Sequence, residues 1–277
     1  IDSDHRFLDP MSAGAGPFNS IVIDGSVLSV YIQPDTLYYF RVAVTTAGGT
    51  SAWSAAASIT TLANPTIPTA NGVLWLEGST SFSAGPNGSC VDQFASGNNP
   101  IQSSGAAQPI GTDITINGLT ARTLVFDGTT SWMQVPTLSL PHFTIFIVGK
   151  TSVDSCYLGS DQAHQVRSQE GGNNIALFDG ANNPLSTACP HPLTSYSLME
   201  CRGDGTTVSF FQNGTACGTG TINSALSLNE MGSIAGGAGL LLHGAIAEMI
   251  VYNAAFSDAD RQTVEAILLA KWAPWLS

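Results

Sequence analysis

The stretch that most constrains this chain is residues 240–272. Residues 246–252 form a short, nearly continuous apolar run with one charge, Glu248. Such a run suits a strand covered on both faces. Ser257 follows, three residues before Asp260, the spacing at which a Ser oxygen caps the first turn of a helix. Asp258 and Asp260 favour the positive end of the helix dipole. Val264, Ile267, Leu268 and Trp272 share one helical stripe, and Pro274 stops the helix. The chain should therefore close with a buried strand and one capped helix.

The rest reads as β-structure. Of 277 residues, 29 are Gly and only 10% are charged, which favours short strands joined by many turns. The net charge is −12, with eight Lys and Arg. That lacks the clustered cations a phosphate backbone or an anionic bilayer would need, so neither is expected as a partner. No apolar run reaches the roughly 18–20 residues of a membrane span. The chain opens at Ile1, as a processed chain or a piece of a longer one would. Five cysteines, at 90, 156, 189, 201 and 217, show no C-x-x-C pair. Buried free thiols are the expectation, with disulfide pairing left open.

Residues 31–44 carry a Pro34-Asp35 turn and then an alternating strand, and Ala47-Gly48-Gly49-Thr50 makes the next turn. Together with Ile32-x-Pro34-x-Thr36-x-Tyr38, this resembles the last strands of a fibronectin type III domain and its tyrosine corner. Residues 1–62 are therefore expected to be a partial domain of that kind, acting as a spacer. Residues 63–72, with two prolines, read as a linker.

From Val73 a second domain is expected, to residue 277. It holds Leu74-Trp75-Leu76, then Asn117-Gly118-Leu119 before Leu124-Val125-Phe126-Asp127-Gly128, then Phe143-Thr144-Ile145-Phe146. Hairpin turns at Gly203-Asp204-Gly205 and Asn213-Gly214 follow, then Gly244-x-Ile246-Ala247-Glu248 and the closing helix. In this order the pieces resemble a concanavalin A-like jelly roll of the laminin G type. The fold class implied is all-β: a partial fibronectin type III sandwich followed by a jelly-roll sandwich with one C-terminal helix. Residues 78–111 read as long and polar with few core residues, and 160–192 as the longest polar region, with loops broken by a short apolar run at Ile175–Phe178. In place of the family's Trp-x-Asp, Phe94-Ala95 runs into Ser96-Gly97-Asn98, which puts a calcium site there in doubt.

Catalytic patterns are weak. Glycan hydrolysis needs two carboxylates at a fixed separation. The six glutamates, 77, 170, 200, 230, 248 and 265, are too dispersed for a Glu-x-Asp-x-Glu strand. There is no G-x-S-x-G elbow and no H-E-x-x-H. Gly149-Lys150-Thr151 is a strand exit, because Thr144 stands where a phosphate loop needs its first Gly. Arg202-Gly203-Asp204 and the glycosylation sequons at Asn87 and Asn213 read as turn chemistry. The chain is expected not to be an enzyme.

Recognition remains. A sugar site needs an aromatic face ringed by amides and carboxylates. Trp132 and Tyr157 are the candidate platforms, with Asp161, His164, Asn173, Asn174, Asp179, Asn182, Asn183 and His191 as the polar ring. Ca²⁺ is the cofactor those oxygens would suit. The jelly roll behind a fibronectin-like spacer resembles bacteriophage tail-fibre and tail-tip proteins. That resemblance implies a virion protein, a trimer or a partner of other virion proteins, attaching to a host surface polysaccharide. The alternatives are a structural capsid or tail decoration domain, and an exported bacterial surface adhesin or the binding module of a glycoside hydrolase.

Overall fold

The computed structural model describes residues 5–6, 37–40, 43–46, 48–55, 57–60, 66–116, 118–169, 174–180, 185–190 and 195–276. The chain divides into two compact units, Ile1–Thr66 and Ile67–Ser277. In the first, β1 (His5–Arg6), β3 (Ala43–Thr46) and β4 (Gly49–Thr50) form one small sheet, while β2 (Leu37–Phe40) pairs with β5 (Ala57–Thr60). The Pro34-Asp35 turn lies outside the described residues.

The second unit begins earlier than the sequence suggests. Ile67 is buried in its core, and the Tyr252 hydroxyl donates to Pro68 O at 2.9 Å. The last residues of the expected linker thus pack as part of this unit. It is an all-β sandwich of two antiparallel sheets with one C-terminal helix. The larger sheet runs β18 (Thr215–Thr221), β17 (Thr207–Gln212), β16 (Ser197–Gly203), β11 (Phe143–Thr151), β20 (His243–Tyr252), β9 (Leu119–Asp127), β8 (Ile110–Ile116) and β7 (Gly85–Pro86). A further strand, β6 (Gly72–Glu77), also pairs with β20 and leads into a one-turn helix, α1 (Gly78–Ser81). The smaller sheet runs β10 (Met133–Leu140), β19 (Leu226–Met231), β12 (Ser155–Gly159), β13 (His164–Gln169), β14 (Asn174–Asp179) and β15 (Leu185–Pro190).

Side-chain alternation divides the apolar residues between two cores. Phe143, Ile145 and Ile147 of β11 face the smaller sheet, with Leu124, Phe126, Met249 and Val251. Phe146 and Val148 face outward, under helix α2 (Asp258–Trp272), with Ile250 and Tyr252. Covering on both faces is why β11 and β20 lack alternation. Ser257 caps α2, accepting from Asp260 N at 3.2 Å. Arg261, Val264, Leu268 and Trp272 form its buried seam.

Two regions read as polar contain strands. β8 starts at Ile110 and pairs antiparallel with β9 as far as Ile116, opposite Leu119. Within 160–192 lie β13, β14 and β15. Their inner residues, Val166, Ile175, Leu177 and Cys189, join the core. Gln165 and Arg167 alternate with them on the outer face, so the segment looks polar as a whole. A disulfide joins Cys189 of β15 to Cys217 of β18, and Cys90, Cys156 and Cys201 are free and buried. It ties an edge of the smaller sheet to an edge of the larger one. Among the described residues no helix is long and apolar enough to cross a membrane.

Candidate functional site

The outer face of the smaller sheet carries the most promising surface. Met133 starts β10 and points into the core. Strand alternation therefore turns Trp132 and Gln134 outward. The backbone at Trp132 is fixed: its N–H donates to Ala107 O at 3.1 Å and its carbonyl accepts from Gln102 Nε2 at 2.9 Å. Gln134 pairs with Ile101 through two backbone hydrogen bonds of 2.8 Å. Directly opposed residues share a face, so Ile101, 53% exposed, lies beside Gln134. Trp132 is half-buried.

Loop 232–242 folds over this face next to the indole. Gly237 has φ +81°, and a methyl group there would overlap the Trp132 ring. Glu230, opposite Gln134 in the sheet, is buried and accepts from Gly236 N at 2.6 Å and Gly237 N at 3.3 Å. Its carboxylate shapes the glycine loop. Ala235 N donates to Ser160 O at 2.9 Å, so the loop joins the Trp132 side of the face to the β12–β13 turn.

That turn holds Asp161 and His164. Asp161 Oδ1 accepts from Ala163 N at 2.8 Å and His164 N at 2.9 Å, and lies 3.1 Å from His164 Nδ1. Partial burial pushes the Asp161 carboxyl up, but these hydrogen bonds outweigh it and hold the acid below its ordinary range. His164 pairs in register with Asp179, and its ring packs beside Gly180. Asp161 and Gln162 are exposed.

The expected ligand residues thus separate into groups. Asp161, His164 and Asp179 meet at one end of the smaller sheet. Asp179 is buried: its carboxylate accepts from Asn223 N and its carbonyl from the Ser224 hydroxyl, so it braces the sheet end. Asn174 sits at the opposite end of β14. Tyr157 cannot serve as a stacking platform. It lies fully buried between the sheets, with ring carbon Cε1 about 3.0 Å from where a Gly149 Cβ would stand. Asn173, Asn182, Asn183 and His191 lie outside the described residues. Gln134 and Ile101 were not singled out by sequence. The alternation Trp132-x-Gln134 was the available signal for the first, and the bridge to Ile101 is long-range.

Other motifs resolve into structure. Arg202 donates to Asp258 Oδ1 at 2.6 Å and Phe256 O at 3.1 Å. Asp204 Oδ1 accepts from Thr206 N and Thr207 N at 2.9 and 2.7 Å, which lowers its carboxyl to about 2. The Arg-Gly-Asp charges are thus committed within the chain. Asn87 is buried, with its amide bonded to Ser83 and Gly85. Asp92, equally unannounced, organises the early loop by accepting from Trp75 N, Phe94 N and Ser96 N at 2.8, 3.1 and 2.9 Å.

The described glutamates are also engaged. Glu248 accepts from the indole N–H groups of Trp75 and Trp272, at 2.9 and 2.7 Å, with Lys271 Nζ 2.9 Å away. Glu200 is buried against Arg261 Nη1 at 2.7 Å, and Arg261 also bonds Glu265. Glu77 pairs with Lys271. Glu170 lies outside the described residues. Among the described residues no group of three or more His, Cys, Asp or Glu could hold a metal ion.

No protein-family model and no curated protein matches this chain. Solved structures do. A GH54 α-L-arabinofuranosidase is similar with a TM-score of 0.52 and 13% identity, over 74% of this chain and 60% of that one. Trypanosoma rangeli sialidase gives 0.51 and 14%, over 76% of this chain and 34% of that one. Domain 4 of a GH43 extracellular arabinanase from Geobacillus stearothermophilus, solved with arabinotriose, gives 0.45 and 17% over 57% of this chain and 80% of that one. The chain thus spans about a third of the sialidase's length and three fifths of the arabinofuranosidase's. At these identities the likeness to the arabinofuranosidase and the sialidase establishes a shared all-β fold.

Proposed function

We propose that the second unit is a non-catalytic carbohydrate-binding adhesion module. The observation that carries this reading is the outward Trp132, set against a glycine loop and flanked by Gln134 and Ile101. An indole face suits the apolar side of a pyranose, and neighbouring amides suit its hydroxyls. Asp161, Gln162 and His164 extend the polar surface across loop 232–242. The carbohydrate-active neighbours by fold support the same chemistry. A binding role is favoured over hydrolysis because the described glutamates hold indoles, arginine, lysine or loop amides in the fold. The disulfide favours an oxidising, extracellular setting.

At the finest level the proposed role is host attachment: a distal tail-fibre or receptor-binding part of a phage virion, oligomeric, recognising a host surface polysaccharide. The test is a glycan array with the whole chain and its Trp132→Ala variant. Binding to a bacterial surface polysaccharide, weakened at least about tenfold in the variant, is expected, with an unchanged circular dichroism spectrum. Equal binding by both proteins, or no binding to any polysaccharide, would remove the proposal.

A further inference from the structure

The larger sheet has an open edge. β7 covers β8 only at Ile110 and Gly111. Among the described strands, none pairs with the outer edge of residues 112–116. This edge is long, β-branched and exposed: Thr112, Asp113, Thr115 and Ile116 are all exposed, and Ile114 is half-buried. Native sheets usually blunt such an edge with charge, Pro or a covering segment, because its unpaired N–H and C=O groups template another strand. The only charge here, Asp113, is neutralised by a two-point pair with Arg122 at 2.8 and 3.0 Å. β18, at the opposite end of the strand order, is tied to β15 by the disulfide.

We infer that β8 is a self-association edge, pairing antiparallel with β8 of a second copy across a two-fold axis at Ile114. Register follows from charge and face. Gly111 lies opposite the buried Leu124, so Asp113 shares the inner face while Thr112, Ile114 and Ile116 share the outer one. An axis at Asp113 would set two aspartates directly opposite, which is unfavourable. An axis between residues would set outer side chains against inner ones. An axis at Ile114 pairs Ile114 with its copy, Thr112 with Ile116, and Asp113 with Thr115, so no like charges meet. The paired segment is bounded by β7 at one end and by the last β8–β9 pair, Ile116 with Leu119, at the other. Ile116 and Leu119, 38% and 52% exposed, widen the apolar seam on the outer face. Because the chain carries −12, a locally neutral edge is where two copies can approach with least repulsion. This interface is independent of glycan binding.

Sedimentation of the whole chain should show a concentration-dependent dimer below about 100 µM. Thr112→Lys with Ile116→Lys should raise its dissociation constant at least about tenfold. Register is read by oxidation of single-cysteine additions. Ile114→Cys should cross-link to itself. Thr112→Cys and Ile116→Cys should each stay uncross-linked alone and link when mixed. A wild-type monomer throughout this range, or cross-links that ignore this pairing, would overturn the inference. Should Ile114→Cys fail to fold, the mixed pair at the two exposed positions decides.

Discussion

Glu200 shows how one buried residue can set the pH response. Burial, aided by the nearby Glu265, pushes its carboxyl up to about 7 despite the opposing pull of Arg261. In the unfolded chain the group titrates near its ordinary value of 4.5. Between those two values the folded protein holds more of this proton than the unfolded one. Stability from this site is therefore greatest below about 4.5 and declines as pH rises through 7. Asp204, lowered to about 2, acts in the opposite sense and only at more acid pH. Replacing Glu200 with Gln should flatten the fall in urea midpoint between about pH 5 and 7. Glu248, raised in the same direction by burial, retains part of the slope in that variant. An identical pH profile in wild type and Glu200→Gln would show that another group controls this window.

At the scale of elements, α2 fastens one face of the larger sheet through Trp272. Its ring is buried, and its N–H reaches the Glu248 carboxylate of β20 at 2.7 Å. Trp272→Ala should lower stability by roughly 3–5 kcal/mol. Trp272→Phe keeps most of the apolar contact but leaves one Glu248 oxygen without its indole, so roughly 1–3 kcal/mol is expected. Denaturant midpoints of the two variants should rank in that order. The helix itself was legible in sequence, because a cap, a stripe and a terminating Pro are local signals. Its anchoring was not: Trp75 meets Glu248 across 173 positions, and no periodicity encodes that. The same division holds at the candidate site. Trp132 could be picked out as a residue after a turn, whereas Tyr157 offered an equally suitable aromatic that packing buries. β13 is hard to read in the sequence because only Val166 of its six residues is apolar, and the Gln165 and Arg167 that flank it hide a strand with a core side.

For the whole molecule, stability depends on holding two sheets together at their borders as well as across their core. Helix α2 covers one outer face, loop 232–242 covers part of the other, and the Cys189–Cys217 disulfide closes the border between β15 and β18. The bridge spans a sequence separation of 28, for which loop-closure entropy gives roughly 3–4 kcal/mol. Replacing both cysteines with Ala should lower the unfolding free energy by about that amount, with the inter-sheet core otherwise intact. The remaining thiols should not substitute for it. Cys90, Cys156 and Cys201 are buried, and burial raises each thiol, Cys90 to about 12, so thiolate for exchange is scarce in the folded state. Alkylation of the native protein should therefore leave all three unmodified, while unfolding in denaturant exposes three thiols and preserves one disulfide. Because Cys189 adjoins Pro190, which pairs with Asn174, the double variant should also show faster amide exchange at the Asn174 end of β14 than at Trp132. Equal exchange at the two places would mean that the bridge stabilises the border without holding that end of β14.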